Sequence, residues 1–165
     1  MKGESMTEPA LNISDFIRAD CIFLDVDLPD KEAVLRFLAD KSRDKGLVTD
    51  AEGLFQGFKA REESMSTGVG AGLAFPHTLT GERSQAAVVI ARLLKALDYG
   101  AMDDRAVDLV FAVLIPESNQ TQHLQILAKV SRLCRKSEFI TTVRRARDPE
   151  VLKQAIEGIE QEFTG

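Results

Sequence analysis

Apolar and polar positions change period several times along the chain, and each change marks an element. Ile13 to Ile17 reads as the start of a short helix. Ile22, Leu24, Val26 and Leu28 alternate with Phe23, Asp25 and Asp27, the period of a half-buried strand. Asp30 then suits the cap of a helix running to about Ser42, with Val34, Phe37 and Leu38 facing inward and Gly46 at its stop. Thr49-Asp50-Ala51-Glu52 reads as a capping box, with Thr49 and Glu52 bonding reciprocally. It opens a helix to about Glu63 that carries Leu54, Phe55 and Phe58 on one face.

A glycine-rich turn and a short strand Leu73–Phe75 follow, then a strand from Ala86 to Leu94. Val107 to Ile115 is almost continuously apolar, the signature of a central strand covered on both faces, and Pro116 ends it. Thr121 to Arg135 is helical, with Leu124, Leu127, Val130 and Cys134 as its stripe. Glu138 to Arg145 is a second helical piece. Asp148-Pro149 is an N-cap followed by a first-turn proline, opening a last helix with Leu152, Ala155, Ile156, Ile159 and Phe163 inside. The sum is an α/β fold, with helices packed on a sheet of about four or five strands.

Composition narrows the classes. The 165 residues suit a single domain with a real core, expected over residues 11–165 behind a flexible polar leader, residues 1–10. A net charge of −5 argues against general nucleic-acid binding. No apolar run approaches the roughly 20 residues of a membrane helix. Cys21 and Cys134 form no CxxC and read as reduced, buried thiols. With His77 and His123 they show no metal-site spacing, so no metal is expected.

Chemistry concentrates in Ser66-Thr67-Gly68-Val69-Gly70-Ala71-Gly72-Leu73-Ala74-Phe75-Pro76-His77. This is neither a dinucleotide fingerprint nor a P-loop, since the glycines precede a strand instead of following one. Three glycines in five residues either cradle an anion with backbone N–H groups or only turn the chain. His77, one of two histidines, shares strand parity with Leu73 and Phe75 and is expected just past the strand end, held by Pro76. His123 sits near a helix N-terminus, where the dipole favours a neutral ring; it either orients a partner or is a structural histidine. Arg61 either grips a phosphoryl group or serves as a helix C-terminal cation. Thr67 and Ser66 either donate to an anion or shape the turn. Glu62 and Glu63 read as a solvated face. Arg132, Arg135, Lys136, Arg144, Arg145 and Arg147 form either a solvated face or a docking patch for an acidic partner.

Three ordered blocks carry a family resemblance: Arg61-Glu62 followed by Ser66 to His77, Asp104 to Pro116, and His123-Leu124 with Leu127. Over about residues 12 to 160 the chain resembles the IIA domain of the bacterial phosphoenolpyruvate:sugar phosphotransferase system, fructose/mannitol type. The run Leu97 to Asp104 and the segment Asp108 to Glu117 are most similar to its nitrogen-regulatory branch.

The resemblance implies a mixed sheet flanked by helices and a cytoplasmic phosphocarrier without a cofactor. By it, His77 accepts a phosphoryl group from an HPr-like protein, and His123 and Arg61 support it. Thr67 and the amides of Gly68 and Gly70 would hold the phosphoryl oxygens. The phosphorylated and free forms would then be told apart by a regulatory target. A sugar-specific IIA component serving a IIB domain, and an interaction module that no longer turns over phosphate, are the alternatives. The family usually has glycine after Pro-His; this chain has Thr78.

Overall fold

The computed structural model describes residues 11–164, except the side chains of residues 120, 163 and 164. The leader and the inward placement of Phe163 lie outside the described residues. Two 3-10 turns, Ile13–Phe16 and Ala19–Cys21, lead into strand β1 (Ile22–Val26). Helices α1 (Lys31–Asp44) and α2 (Ala51–Ser64) follow, then β2 (Gly68–Gly70), β3 (Leu73–Ala74), β4 (His77–Thr80), β5 (Ala87–Leu97) and β6 (Val107–Pro116). Helices α3 (Gln120–Cys134), α4 (Ser137–Arg145) and α5 (Pro149–Thr164) close the chain.

Among the described residues the sheet has six strands, in the order β1-β5-β6-β3-β2, with β4 paired to β6 beyond β3. It is mixed: β1/β5, β3/β6 and β4/β6 are parallel, while β5/β6 and β2/β3 are antiparallel. The expected count fell short because the segment read as one turn and one strand contains three short strands. Individually these are below the length at which a period can be read.

The apolar run of β6 is central as expected, and its alternation sorts two cores. Val110, Ala112 and Leu114 pack with Val34, Leu38, Leu54, Phe55 and Phe58 of the α1/α2 layer. Leu109, Phe111, Val113 and Ile115 pack with Ile126, Val130, Leu133, Phe139, Leu152 and Ile156 of the α3–α5 layer.

Several local readings are corrected. No capping box forms at Thr49. Asp50 caps α2 through its carboxylate and the Gly53 N–H (2.8 Å), while the Thr49 hydroxyl and N–H both bond Glu82. Glu52 turns to Arg36 and Gln56. On α3 the inward stripe is Ile126, Val130 and Leu133; Leu124 is 71% exposed. Cys21 is buried, but Cys134 is only partly so.

Candidate functional site

β3 and β4 are one interrupted strand along β6. Leu73 pairs with Leu109 and His77 with Val113, so the register offset is unchanged across Phe75-Pro76. His77 is therefore the first residue of a strand, not a residue beyond the end of one. Pro76 offers no N–H to the ladder, but its carbonyl accepts from Val113 N–H at 2.9 Å and keeps the register.

Strand parity then divides two neighbours. His77 lies opposite Val113, whose side chain belongs to the α3–α5 core, and Thr78 opposite Leu114, which belongs to the α1/α2 core. β4 pairs only with β6 among the described strands, so the site sits at a sheet edge where both helix layers meet. His123, in the first turns of α3, approaches from one layer, its ring centroid 6.0 Å from that of His77. Arg61, in the last turn of α2, comes from the other.

The hydrogen bonds assign the two ring nitrogens of His77. Nδ1 is 2.9 Å from the Phe75 carbonyl oxygen, to which only a protonated nitrogen can donate. Nε2 accepts from Arg61 Nε–H at 3.2 Å. The proton thus lies on Nδ1 and the lone pair on Nε2 is directed at the guanidinium. Arg61 is itself held by a bond from Nη1 to the Met65 carbonyl, 2.8 Å. Burial of the half-exposed ring lowers the His77 pKa; the charge of Arg61 and the nearby His123 lower it further, against the Phe75 carbonyl and Glu62, which raise it. The outcome at neutral pH is a neutral imidazole whose Nε2 lone pair faces a fixed cation. Leu79, two residues along β4, is 48% exposed, and Leu124 follows His123, so the histidines have an apolar border.

Arg61, His77 and His123 come together; Thr67 and Gly68 do not join them as anion donors. Thr67 is 3% exposed, and both its N–H and its hydroxyl donate to Glu62, at 2.9 and 2.5 Å. The Gly68 N–H donates to Ser66 Oγ. Gly68 is glycine because a Cβ would lie 2.8 Å from the Ala101 Cβ. Gly70 and Gly72 take φ of 105° and 83° in the β2–β3 hairpin, where side chains other than glycine are strained. In this structure Gly68 makes a close contact with Ala101, and Gly70 and Gly72 turn a hairpin.

The residue that sequence reading missed is Glu62. It is buried, not solvated, and gathers Thr67, the Tyr99 hydroxyl (3.4 Å) and Lys31 Nζ (2.9 Å). This network ties the end of α2 to the start of β2, and so fixes the segment between Arg61 and His77. A helix-face pattern places Glu62 next to the inward Phe58, four residues back, which was the available signal. On the basic face, Arg144 is ion-paired to Asp108 and also donates to the Ala71 carbonyl.

Residues 15–158 match the family model described as "Phosphoenolpyruvate-dependent sugar phosphotransferase system, EIIA 2". The chain is 36% identical over 121 residues to the PTS system fructose-specific EIIA component of Haloferax volcanii, covering 73% of this chain and 79% of that protein. It is 30% identical over 140 residues to a nitrogen regulatory protein of Bradyrhizobium diazoefficiens, covering 85% and 91%. Its fold matches the crystal structure of the nitrogen regulatory protein IIA-Ntr from Neisseria meningitidis with a TM-score of 0.79 at 24% identity, over 87% of this chain and 98% of that one.

Proposed function

The chain belongs to the EIIA 2 family of the phosphoenolpyruvate-dependent sugar phosphotransferase system, and we propose that it carries the phosphoryl group on His77 Nε2. The observation that carries this reading is the pair of bonds on one ring: Nδ1–H to the Phe75 carbonyl and Nε2 facing Arg61. EIIA domains exchange phosphate with HPr and IIB partners. The donor proposed here is a phosphohistidine on an HPr-like carrier.

The Nε2 lone pair attacks phosphorus as the bond from phosphorus to the donor nitrogen breaks, and the donor ring keeps that electron pair. Positive charge spreads into the His77 ring during transfer. The Nδ1–H bond to the Phe75 carbonyl stabilises it and holds the ring orientation. Arg61 shifts from Nε2 to the arriving phosphoryl oxygens, which its planar fork suits. His123 bounds the opposite side of the site. The depressed pKa keeps Nε2 unprotonated at neutral pH, as nucleophilic attack requires. Leu79 and Leu124 supply apolar contact area for the carrier, and the cytoplasm is the compartment this exchange implies.

Within the family, nitrogen regulation is the finer reading. Its support is the similarity to nitrogen regulatory proteins across most of the chain. Phosphorylation converts a neutral ring into an anion at a partly apolar surface, and a regulatory target would distinguish the two forms. The sugar-specific reading has its own support in the 36% identity to a fructose-specific component.

Intact mass after incubation with phosphoenolpyruvate, enzyme I and an HPr-like carrier tests the core proposal. An acid-labile phosphate adduct on the wild type, absent from His77→Ala, is expected; no adduct on the wild type overturns it. Adding a fructose-type IIB domain separates the finer readings. Rapid loss of the adduct to IIB supports sugar transport, and retention supports regulation.

A further inference from the structure

Gly57 of α2 faces Thr78 of β4. A Cβ at Gly57 would overlap the Thr78 Oγ1 and lie 3.2 Å from its Cβ and 3.3 Å from its Cγ2. Rotating Thr78 about χ1 can turn a hydrogen towards the added methyl, but the Thr78 Cβ stays 3.2 Å from it, still tighter than ordinary contact. Helix and strand therefore meet here more closely than a side chain at residue 57 would allow without a shift. Gly57 lies one helical turn before Arg61 on the same side of α2, and Thr78 is the residue after His77. The two contacts between the same elements are thus one turn and one residue apart.

We infer that the Gly57–Thr78 contact sets the spacing between Arg61 and His77, so that Gly57 and Thr78 are positioning residues for the phosphoryl acceptor. Threonine in place of the glycine usual after Pro-His is accommodated because the facing helix residue has no side chain. The inference rests on the phosphocarrier reading of His77. Its mechanical basis is the narrow tolerance of the bond it controls. Arg61 Nε is 3.2 Å from His77 Nε2, and a separation a few tenths of an ångström longer is no hydrogen bond. A methyl at residue 57 pushes the helix out by at least that much. A glycine at residue 78 leaves a gap into which the helix settles.

The test is a four-member cycle: wild type, Gly57→Ala, Thr78→Gly and the double variant. Each is checked for folding by circular dichroism and read by NMR titration of His77 and by the rate of phosphoryl acceptance. Gly57→Ala should raise the His77 pKa towards its ordinary value as the guanidinium draws away, and Thr78→Gly should lower it as the helix settles inward. Each should also slow acceptance, by about tenfold for Gly57→Ala, the scale of one displaced charged contact. The double variant restores a side chain–glycine pairing with its sides exchanged, and should recover both readings. Single variants that titrate and accept phosphate as wild type overturn the proposal, as does a double variant no better than Gly57→Ala. If Gly57→Ala fails to fold, Thr78→Gly and the double variant still decide. The titration needs no phosphate donor, so a wild type that takes no phosphate strikes the functional reading and leaves this one to its own result.

Discussion

Arg61 Nε–H points at His77 Nε2 across 3.2 Å, from the last turn of one helix to the first residue of a strand. A cation against this nitrogen disfavours its protonation, and on the proposed phosphocarrier role of His77 it stands where phosphoryl charge would arrive.

Removing that cation should therefore change both chemistry and titration. Arg61→Ala is expected to slow phosphoryl acceptance by about 100-fold, the usual effect of losing one preorganised donor at developing charge. Arg61→Lys should recover only part of the rate, since a point charge lacks the planar fork. NMR should show the His77 pKa rising in Arg61→Ala. Quench-flow with the phosphorylated carrier gives the rates; an unchanged rate in Arg61→Ala would place the guanidinium outside the reaction.

His77 should make the protein sensitive to acid in a defined direction. Burial, then Arg61 and His123, hold its folded pKa below the ordinary 6.5. The unfolded chain thus binds the proton more tightly than the fold does. Stability is full above pH 6.5 and falls as the pH drops from there through the folded value. The acceptance rate should keep its plateau below pH 6.5 before declining as Nε2 protonates. Urea unfolding at stepped pH should show a flatter acid slope in His77→Gln than in the wild type.

Glu62→Ala should be among the more destabilising single changes in the chain. It leaves the Thr67 N–H and hydroxyl without their acceptor in the core, and Lys31 and Tyr99 lose their shared partner. A loss of about 3 kcal/mol is expected, the scale of unpaired buried donors, measured by urea denaturation. Glu62→Gln keeps an acceptor oxygen and should lose less. Tyr99→Phe removes one hydroxyl from the network and should cost about 1 kcal/mol with phosphoryl acceptance unchanged.

Arg92 is a second fold-critical polar residue. Its Nη1 donates to the carbonyls of Val143, Arg144 and Ala146 at 2.9, 3.1 and 2.6 Å, and its Nη2 pairs with Asp25 at 3.0 Å. The guanidinium thereby caps the C-terminal end of α4 from inside the sheet. Arg92→Met should cost about 3 kcal/mol by freeing carbonyls that the helix leaves unpaired. Arg92→Lys should recover little, because one ammonium cannot match the fork. Circular dichroism melts would measure both; a Lys variant as stable as wild type would contradict the capping role.

Long periodic segments are legible in the chain itself. The β6 run, the inward faces of α1 and α2, and the Asp148-Pro149 start of α5 follow from local period and capping chemistry, which need only near neighbours in sequence. So is the grouping of Arg61, His77 and His123, which the fold brings together, because their residue types and motif order are written along the chain. The errors are equally physical. Thr49 and Asp50 compete to cap one helix, and Asp50 takes the role because Glu82, 33 residues away from Thr49, accepts the Thr49 hydroxyl. Leu124 belongs to an apolar helical spacing, yet it faces out because α3 rolls Ile126 and Leu133 inward.

What the sequence determined by itself was an α/β fold with a central β6 and a histidine held after proline, through hydrophobic period and the restricted backbone of Pro76. Only the tertiary structure decided that β3 and β4 form one edge in continuous register, that Glu62 is a buried anchor, and that Arg61 meets Nε2 rather than Nδ1. Those outcomes depend on contacts between residues far apart in the chain or on opposite layers of the sheet. Neighbouring residues cannot encode such contacts until the layers pack and the distances are set.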